Sequence, residues 1–202
     1  MKFSSLPYAT EGWEIVAQET HFANEHLAVV SEDVRTPNRP EVRKWTVVQR
    51  KAAVGIAALT PAGELLLIRQ ERIPIQAAIW EVPAGQIDEP DTKGLPAIEA
   101  VARRELREEA GYEVGPDGKW EPVGYFFSSP GLTDEHSYFF LARGVVPVAG
   151  GSAPDEAETI LECRAFALPE VGRMIARNEI MDANTLSICA KLSALGMIDF
   201  HG

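Results

Sequence analysis

The spacing of hydrophobic positions changes several times along the chain, and each change marks a different predicted element. Residues 64–70 hold three leucines and an isoleucine in one continuous run, a pattern typical of a strand that is buried on both faces. Apolar runs between turn residues predict further strands. These lie at residues 13–17, 26–30, 45–49, 52–59, 122–127, 137–142 and 160–168.

Helical spacing follows in the second half of the chain. The first predicted helix begins near Pro96, which suits an initial turn, and ends before Gly111, which suits the position after a helix. The others cover residues 169–177 and a segment that starts at 182–184 and ends at 196. The order of strands, one helix, strands and then helices predicts an α+β domain with a mixed sheet covered by helices.

Turn-forming residues divide the chain further. The segment 36–40 is turn-rich and separates the first two predicted strands from the rest. Segments 85–93 and 148–158 are rich in Gly, Pro and acidic residues and predict exposed loops. We therefore predict a small N-terminal β extension over residues 1–44 and a main domain over residues 45–202.

The first predicted helix carries its glutamates on or beside its apolar side. At a rotation of about 100° per residue, Glu105 and Glu109 fall within the apolar stripe and Glu108 falls at its edge. The stripe itself consists of Ile98, Val101, Ala102 and Leu106. Three carboxylates that point toward the body of the protein repel one another and lose hydration. They therefore need protons or a bound cation.

Two interpretations of this helix remain open at this point. Carboxylate oxygens suit a hard ion, Mg²⁺ first and Mn²⁺ second, and Arg104 is spaced to orient Glu108 one turn later. Short runs rich in Glu and Arg are also common on solvated helix surfaces, where their salt bridges contribute little. The spacing alone does not separate the two, and the helical phase favours the metal site.

Composition narrows the range of partners. The net charge of −11 argues against a general nucleic-acid binder, which needs a basic surface. No run of about 18 apolar residues occurs, so we expect no membrane span. The N-terminus becomes polar too early for a secretory signal, and the two cysteines, Cys163 and Cys189, are expected to be reduced. We expect the protein in the cytoplasm.

The run from Arg104 to Tyr112, read as RELREEAGY, resembles the second half of the Nudix box without a mismatch. Other segments resemble the branch of that family that hydrolyses ADP-ribose and nucleoside diphosphate sugars. They are residues 69–72, 80–85, 128–135, 155–160 and 178–185. The resemblance implies a Nudix fold, in which a mixed sheet is sandwiched between helices (α/β/α), and a homodimer paired through the N-terminal extension.

The first half of the box departs from the family pattern. Gly85 lies nineteen positions before Arg104, and the pattern places that glycine five residues closer. The position of the pattern's first Glu is occupied by Pro96. Four acidic residues are candidates to replace that Glu, and we leave the choice open. They are Asp88, Glu89, Asp91 and Glu99.

By resemblance, the box carries the metal and the chemistry. Three glutamates and one backbone carbonyl would hold Mg²⁺; they are Glu105, Glu108, Glu109 and the carbonyl of Ala84. Arg104 belongs to the catalytic set because it orients a carboxylate. Glu156 is the first choice for the general base and Glu158 the second, because the family delivers its base on an acidic loop. By composition alone, residues 154–158 are only a solvated acidic loop.

Candidate substrate contacts lie outside the box. Arg72, and after it Arg50, are predicted to contact phosphate, and the alternative for each is a surface residue. Glu81 is predicted either to accept a hydrogen bond from a base or ribose or to pair with an arginine.

Three further residues complete the predicted site. Trp45 is predicted to stack on a nucleobase or, alternatively, to lie in the core. Asp134 and Glu135 are predicted to bind sugar hydroxyls or to order the site, and a plain turn is the alternative.

The predicted function is Mg²⁺-dependent hydrolysis of the pyrophosphate bond of ADP-ribose or a related nucleoside diphosphate sugar, giving a nucleoside monophosphate and a sugar phosphate. One alternative keeps the fold and changes the substrate, for example to GDP-mannose or a dinucleotide. Another is a Nudix-like ligand sensor without catalysis. The absent first Glu favours the sensor, and the intact set of three glutamates argues against it.

Overall fold

A computed structural model describes residues 5–88, 94–154 and 158–201. The strands are β1 (Glu14–Ala23), β2 (Leu27–Thr36), β3 (Arg39–Arg50), β4 (Ala53–Leu59), β5 (Leu65–Arg72), β6 (Ala77–Glu81), β7 (Ala84–Gln86), β8 (Tyr112–Phe127), β9 (His136–Pro147) and β10 (Ile160–Phe166). The helices are α1 (Leu95–Glu105), α2 (Leu168–Ala176) and α3 (Ala183–Ala194). A short 3₁₀ turn (Ile73–Ile75) joins β5 to β6, and α1 continues into a π-helical turn, Leu106–Ala110.

The larger sheet has the order β10-β5-β4-β9-β8, with β6 paired to β5 and β7 paired to β4. Strands β4 and β9 run parallel, and the other pairs are antiparallel. The sheet is therefore mixed, as the order of elements predicted. The hydrophobic pattern predicted neither β6 nor β7, although the resemblance at residues 80–85 is to a strand; β7 is three residues long and overlaps the start of the segment expected to be a loop.

Helices cover both faces of the larger sheet, which confirms the α/β/α arrangement. One core joins the sheet to α2 and α3, with Leu67, Phe166 and Ile188 among its members. A second core on the opposite face joins the sheet to α1 and its π-turn. Four consecutive β5 residues, Leu65–Ile68, are at most 1% exposed. Because neighbouring strand residues face opposite sides, this continuous burial requires a core on each face.

The smaller sheet is formed by β1, β2 and β3 in antiparallel order. It exposes several large apolar side chains. They are Ile15, Val16, Phe22, Val42 and Trp45, with Tyr8 and Trp13 just before the sheet. The predicted boundary between residues 44 and 45 falls inside β3, so this strand belongs to both predicted sections.

The ends of α1 follow the predicted signals. Pro96 lies in its first turn, and Gly111 ends the π-turn with φ 71°, a left-handed conformation that favours glycine. In the part of the chain that the structure describes, no helix is long and apolar enough to cross a membrane.

Candidate active site

The π-turn after α1 is fixed by its apolar side chains. Leu106 is fully buried and Ala110 nearly so, and both pack in the core between α1 and the sheet. Gly111 then meets the backbone of Gly151 and Ser152 so closely that a Cβ would lie 2.6 Å from the Ser152 nitrogen. The Ala153 N–H also donates to the carbonyl of Glu108 at 2.8 Å. The acidic loop is thus attached directly to the glutamate-bearing turn.

Two of the three box glutamates are buried. Glu105 is 6% exposed and Glu109 is 1% exposed, as the helical phase predicted. The Ala84 N–H donates to Glu109 Oε2 at 2.8 Å, and among the described residues Glu109 Oε1 has no hydrogen-bond partner. The pKa of Glu109 is raised to about 9, chiefly by burial; the charges of Glu158 and Glu105 contribute to this rise, and the hydrogen bond from Ala84 opposes it.

Arg104 lies between the other two glutamates. Its Nη1 donates to Glu108 Oε2 at 2.5 Å and its Nη2 donates to Glu105 Oε1 at 2.6 Å. The predicted pairing with Glu108 is therefore observed, together with a second contact. In the described part of the chain, no three His, Cys, Asp or Glu side chains already stand in a metal-ligating arrangement. Arg104 supplies the positive charge between these two carboxylates.

The donor set nevertheless fits a hard divalent cation. It consists of carboxylate oxygens, and one of them, Glu109 Oε1, is buried and accepts no hydrogen bond from the residues that the structure describes. Gly85 leaves room for the Glu105 carboxyl group, which any side chain on Gly85 would overlap. Strand β7 holds Ala84 and Gly85 against β4, with Gly55 opposite Ala84. An oxygen-rich, crowded site of this kind favours a bound cation.

A cleft of about 510 Å³ opens beside the glutamates. Six residues predicted from the sequence line it: Arg50, Arg72, Glu81, Ala84, Glu135 and Glu158. Gly85 lines it as well, so the cleft reaches the backbone that contacts Glu105 and Glu109. Arg50 and Arg72 therefore line a cleft whose wall, at Ala84 and Gly85, adjoins the box glutamates Glu105 and Glu109.

Arg72 and Glu81 form a close pair across the β5–β6 hairpin. Arg72 Nε donates to Glu81 Oε1 at 2.9 Å, and Nη2 donates to Oε2 at 2.5 Å. The hydrogen bond with Glu81 raises the pKa of Arg72, and burial raises the pKa of Glu81. Of the two roles predicted for Glu81, pairing with an arginine is the observed one. The pairing also fixes how Arg72 faces the cleft.

Arg50 is held by the loop that follows β8. Its backbone N–H donates to Asp134 Oδ1 at 2.8 Å, and its Nε lies 3.1 Å from Glu135 Oε1 in an ion pair. The Ser128 hydroxyl donates to Glu135 Oε2 at 2.7 Å. Burial raises the pKa of Asp134. The loop is therefore more than a plain turn, because it orders one wall of the cleft.

Trp45 does not lie in the core, so that alternative is wrong. The side chain is 59% exposed, and its Nε1 donates to the Gly131 carbonyl at 3.4 Å. Glu156, the first choice for the base, lies outside the described residues. Glu158, the second choice, lines the cleft and acts electrostatically on Glu109.

Other cleft residues were not predicted from the sequence. They are Ala53, Pro74, Ile75, Ile79, Gln86, Met181, Asp182, Ala183 and Asn184. Asp182 caps α3, where its Oδ2 accepts from the Thr185 N–H at 2.7 Å. This capping signal is visible in the sequence, but the approach of α3 to the cleft depends on tertiary packing.

The missing first Glu has two described candidates. Asp88 pairs with Lys51 at 2.9 Å, and Glu99 pairs with Arg103 at 2.7 Å. Neither contacts the box carboxylates directly in these pairs. The other two candidates, Glu89 and Asp91, lie outside the described residues.

Comparison with known proteins places these features in one family. Residues 49–186 match the model of the NUDIX domain. The chain is 30% identical to ADP-ribose pyrophosphatase of Bacillus subtilis over 84% of this chain and 86% of the relative. It is 29% identical to ADP-ribose pyrophosphatase of Mycobacterium tuberculosis over 92% of this chain and 84% of the relative. A crystal structure of an ADP compounds hydrolase aligns over 95% of this chain and 100% of that chain, with a TM-score of 0.71 at 18% identity, which shows the shared fold.

Proposed function

The chain belongs to the Nudix hydrolase family, and on that premise we propose that it hydrolyses the pyrophosphate bond of ADP-ribose or a related nucleoside diphosphate sugar, with Mg²⁺ as cofactor. The products are a nucleoside monophosphate and a sugar phosphate. One observation carries the proposal: the buried, partly unpartnered Glu109 carboxylate lies beside a cleft lined by two arginines. A purely structural cluster would not need this combination of charges.

The arginines bind and orient the substrate. Arg72 and Arg50 line the same cleft, and guanidinium groups match the geometry of phosphate oxygens. Each is oriented by a carboxylate, Glu81 for Arg72 and Glu135 for Arg50. Held in this way, they lose little side-chain freedom when a diphosphate arrives.

The glutamates hold the cofactor. Glu105, Glu108 and Glu109, with the Ala84 carbonyl, would bind the divalent ions, and Mn²⁺ is the alternative to Mg²⁺. Such ions neutralise the diphosphate and lower the pKa of a coordinated water. Arg104 keeps Glu105 and Glu108 together, so that the carboxylates are arranged in advance.

The general base comes from the acidic loop. Glu158 lines the cleft and lies near enough to Glu109 to raise its pKa. Glu156 remains the other candidate. A loop attached to the π-turn through Ala153 is well placed to bring a carboxylate to the attacking water.

A substrate panel tests this function. The protein is incubated with Mg²⁺ and ADP-ribose, ADP-glucose, GDP-mannose or a dinucleotide, and the products are separated by chromatography. We expect AMP and ribose 5-phosphate from ADP-ribose. Faster cleavage of GDP-mannose or a dinucleotide selects the alternative substrates. No cleavage of any panel member, together with binding of one of them, supports a ligand sensor instead.

We further propose that the N-terminal extension, residues 1–44, pairs two copies into a homodimer. Its sheet exposes large apolar side chains, such as Ile15, Val16 and Phe22, whose contact with water is unfavourable. Light scattering after size exclusion should give twice the chain mass, and Ile15→Asp should shift the protein to the monomer. A wild-type monomer at tens of micromolar would contradict the proposal.

A further inference from the structure

We propose that Glu135 is a positioning residue, which acts on the substrate only through Arg50. Its carboxylate holds the Arg50 guanidinium against the wall of the cleft, where the guanidinium meets the diphosphate. The inference rests on the proposed function, because it takes a diphosphate as the ligand of the cleft. It replaces a direct contact between Glu135 and sugar hydroxyls with an indirect role in phosphate binding.

The contacts of Glu135 leave its carboxylate little freedom. Oε1 lies 3.1 Å from Arg50 Nε, and Oε2 accepts from the Ser128 hydroxyl at 2.7 Å. The Glu135 backbone N–H donates to the Thr133 hydroxyl at 3.1 Å. The side chain is only 23% exposed. Both carboxylate oxygens are therefore engaged with the protein, and the residue is fixed at its backbone as well.

Charge also argues against direct contact between Glu135 and the substrate. A carboxylate and a diphosphate carry charges of the same sign and repel each other at close range. Glu135 nevertheless lines the same cleft as Arg50 and Arg72. A negative group is compatible with that position when a cation stands between it and the substrate. Arg50 is that cation.

Arg50 is held at its backbone as well as at its side chain. Its N–H donates to Asp134 Oδ1 at 2.8 Å, one residue before Glu135. Two residues earlier on β3, the Val48 N–H donates to the Leu132 carbonyl at 2.9 Å. The loop from Ser128 to Glu135 therefore fixes both the strand and the side chain that present the guanidinium. An arginine that is already ordered loses less rotamer freedom on binding.

Steady-state kinetics of Glu135→Gln test the role. The substitution keeps the size of the side chain and removes its charge. With ADP-ribose and Mg²⁺ we expect KM to rise about tenfold and kcat to stay within about twofold, because the lost contact serves ground state and transition state alike. Ser128→Ala, which loosens Oε2 without removing the charge, should raise KM by a smaller factor and serves as a second variant if Glu135→Gln folds poorly.

Glu121→Gln is the matched control. Glu121 Oε1 accepts from Arg143 Nε at 3.0 Å, and the two side chains are 36% and 37% exposed, close to the geometry of the Arg50–Glu135 pair. Neither residue lines the cleft. We expect wild-type KM from this variant. A Glu135→Gln protein that matches Glu121→Gln in KM overturns the role.

A double-mutant cycle with Arg50→Lys separates a positioning role from a direct one. If Glu135 acts through Arg50, adding Glu135→Gln to Arg50→Lys should raise KM by less than about twofold further. If the KM of the double variant rises by the product of the two single factors, Glu135 acts independently of Arg50, and the proposal is overturned. A wild-type protein that cleaves no panel substrate overturns the proposed function instead, which is a separate result.

Discussion

The arginines and the glutamates of the site differ in how their charges are paired. On the arginine side, Arg72 and Arg50 each face a carboxylate of the same chain, Glu81 and Glu135. On the glutamate side, Glu109 is 1% exposed, and one of its oxygens has no partner among the described residues. Its pKa is raised to about 9, chiefly by burial. The chain pairs both arginines with carboxylates on the first side, and on the second side it buries the Glu109 carboxyl group, whose raised pKa keeps it protonated at pH 7.

This difference separates what each side contributes. A compensated pair stabilises the fold and the site together, so damage to it should lower both stability and activity. A buried carboxyl group that keeps its proton forms no ion pair that stabilises the fold, so its replacement by an amide should lower activity alone. The following predictions test that separation, from the largest expected effect to the smallest.

Glu109→Gln should have the largest effect. If Glu109 is a metal ligand as proposed, its loss should lower kcat/KM at least about 100-fold. The free energy of unfolding without metal should not fall, because a neutral amide replaces a group that already favours its neutral form. Kinetics and urea unfolding measure the two quantities. Glu113→Gln, at an exposed pair with Arg107, is the control and should leave both unchanged. Full activity in the Glu109→Gln variant would contradict the proposed metal site.

Gly85→Ala should come next. The new methyl group would overlap the Glu105 carboxyl group and displace it, so we expect activity to fall about 10- to 100-fold. Mg²⁺ titration of the activity should show a weaker apparent affinity. Gly172→Ala crowds a helix outside the cleft, where the Cβ would lie 3.0 Å from Phe200 Cβ. Equal activity losses in the two variants would mean that crowding alone, rather than the glutamates, explains the result.

Glu81→Gln should affect stability and activity together. The Glu81 side chain is 2% exposed and its partner Arg72 is 40% exposed, so the loss of the pair should lower the free energy of unfolding by about 1–2 kcal/mol. Activity should fall about tenfold, because Arg72 loses its fixed orientation. Unfolding and kinetic assays are run on the same preparation. A loss of activity without a loss of stability would place Glu81 on the glutamate side of the comparison.

The smallest expected effect is the release of a proton from Glu109 when Mg²⁺ binds. The folded pKa of Glu109, about 9, exceeds the ordinary value of 4.5, so metal-free protein keeps this proton at pH 7 while the unfolded chain has lost it. Its contribution to stability is present below pH 4.5 and is lost as pH rises through 9. Mg²⁺ binding at pH 7 should then release about one proton, detected by calorimetry in buffers of different ionisation enthalpy. If the Glu109→Gln variant releases as many protons as the wild type when Mg²⁺ binds, Glu109 is not the source of the proton.

Sequence reasoning succeeded where local periodicity decides the outcome. The helical phase placed Glu105 and Glu109 on the buried side, and both are buried. The prediction used the rotation of a regular α-helix, which fits Glu105 in α1, and Glu109 stays on the buried side although it lies in the π-turn. The continuous apolar run of β5 similarly predicted burial on both faces.

Sequence reasoning failed where pairing between distant segments decides. Strand β7 is held by β4, with Gln86 opposite Ala53, and three residues alone give no strand pattern. The Arg72–Glu81 pair depends on the register of the β5–β6 hairpin, in which Ile68 lies opposite Glu81. Trp45 was weighed as a core residue because aromatic residues usually are buried, yet its strand belongs to an exposed sheet.

Strand β3 connects the cleft to the N-terminal sheet. Arg50 is the last residue of β3 and pairs with Leu27 of β2, so the guanidinium of the cleft stands at the end of a strand whose neighbours lie in the extension. The N-terminal extension therefore cannot be deleted without removing the strand that pairs with β3. A descendant that lost β1 and β2 would have to supply a new partner for β3, or a new arginine, before its substrate site worked again.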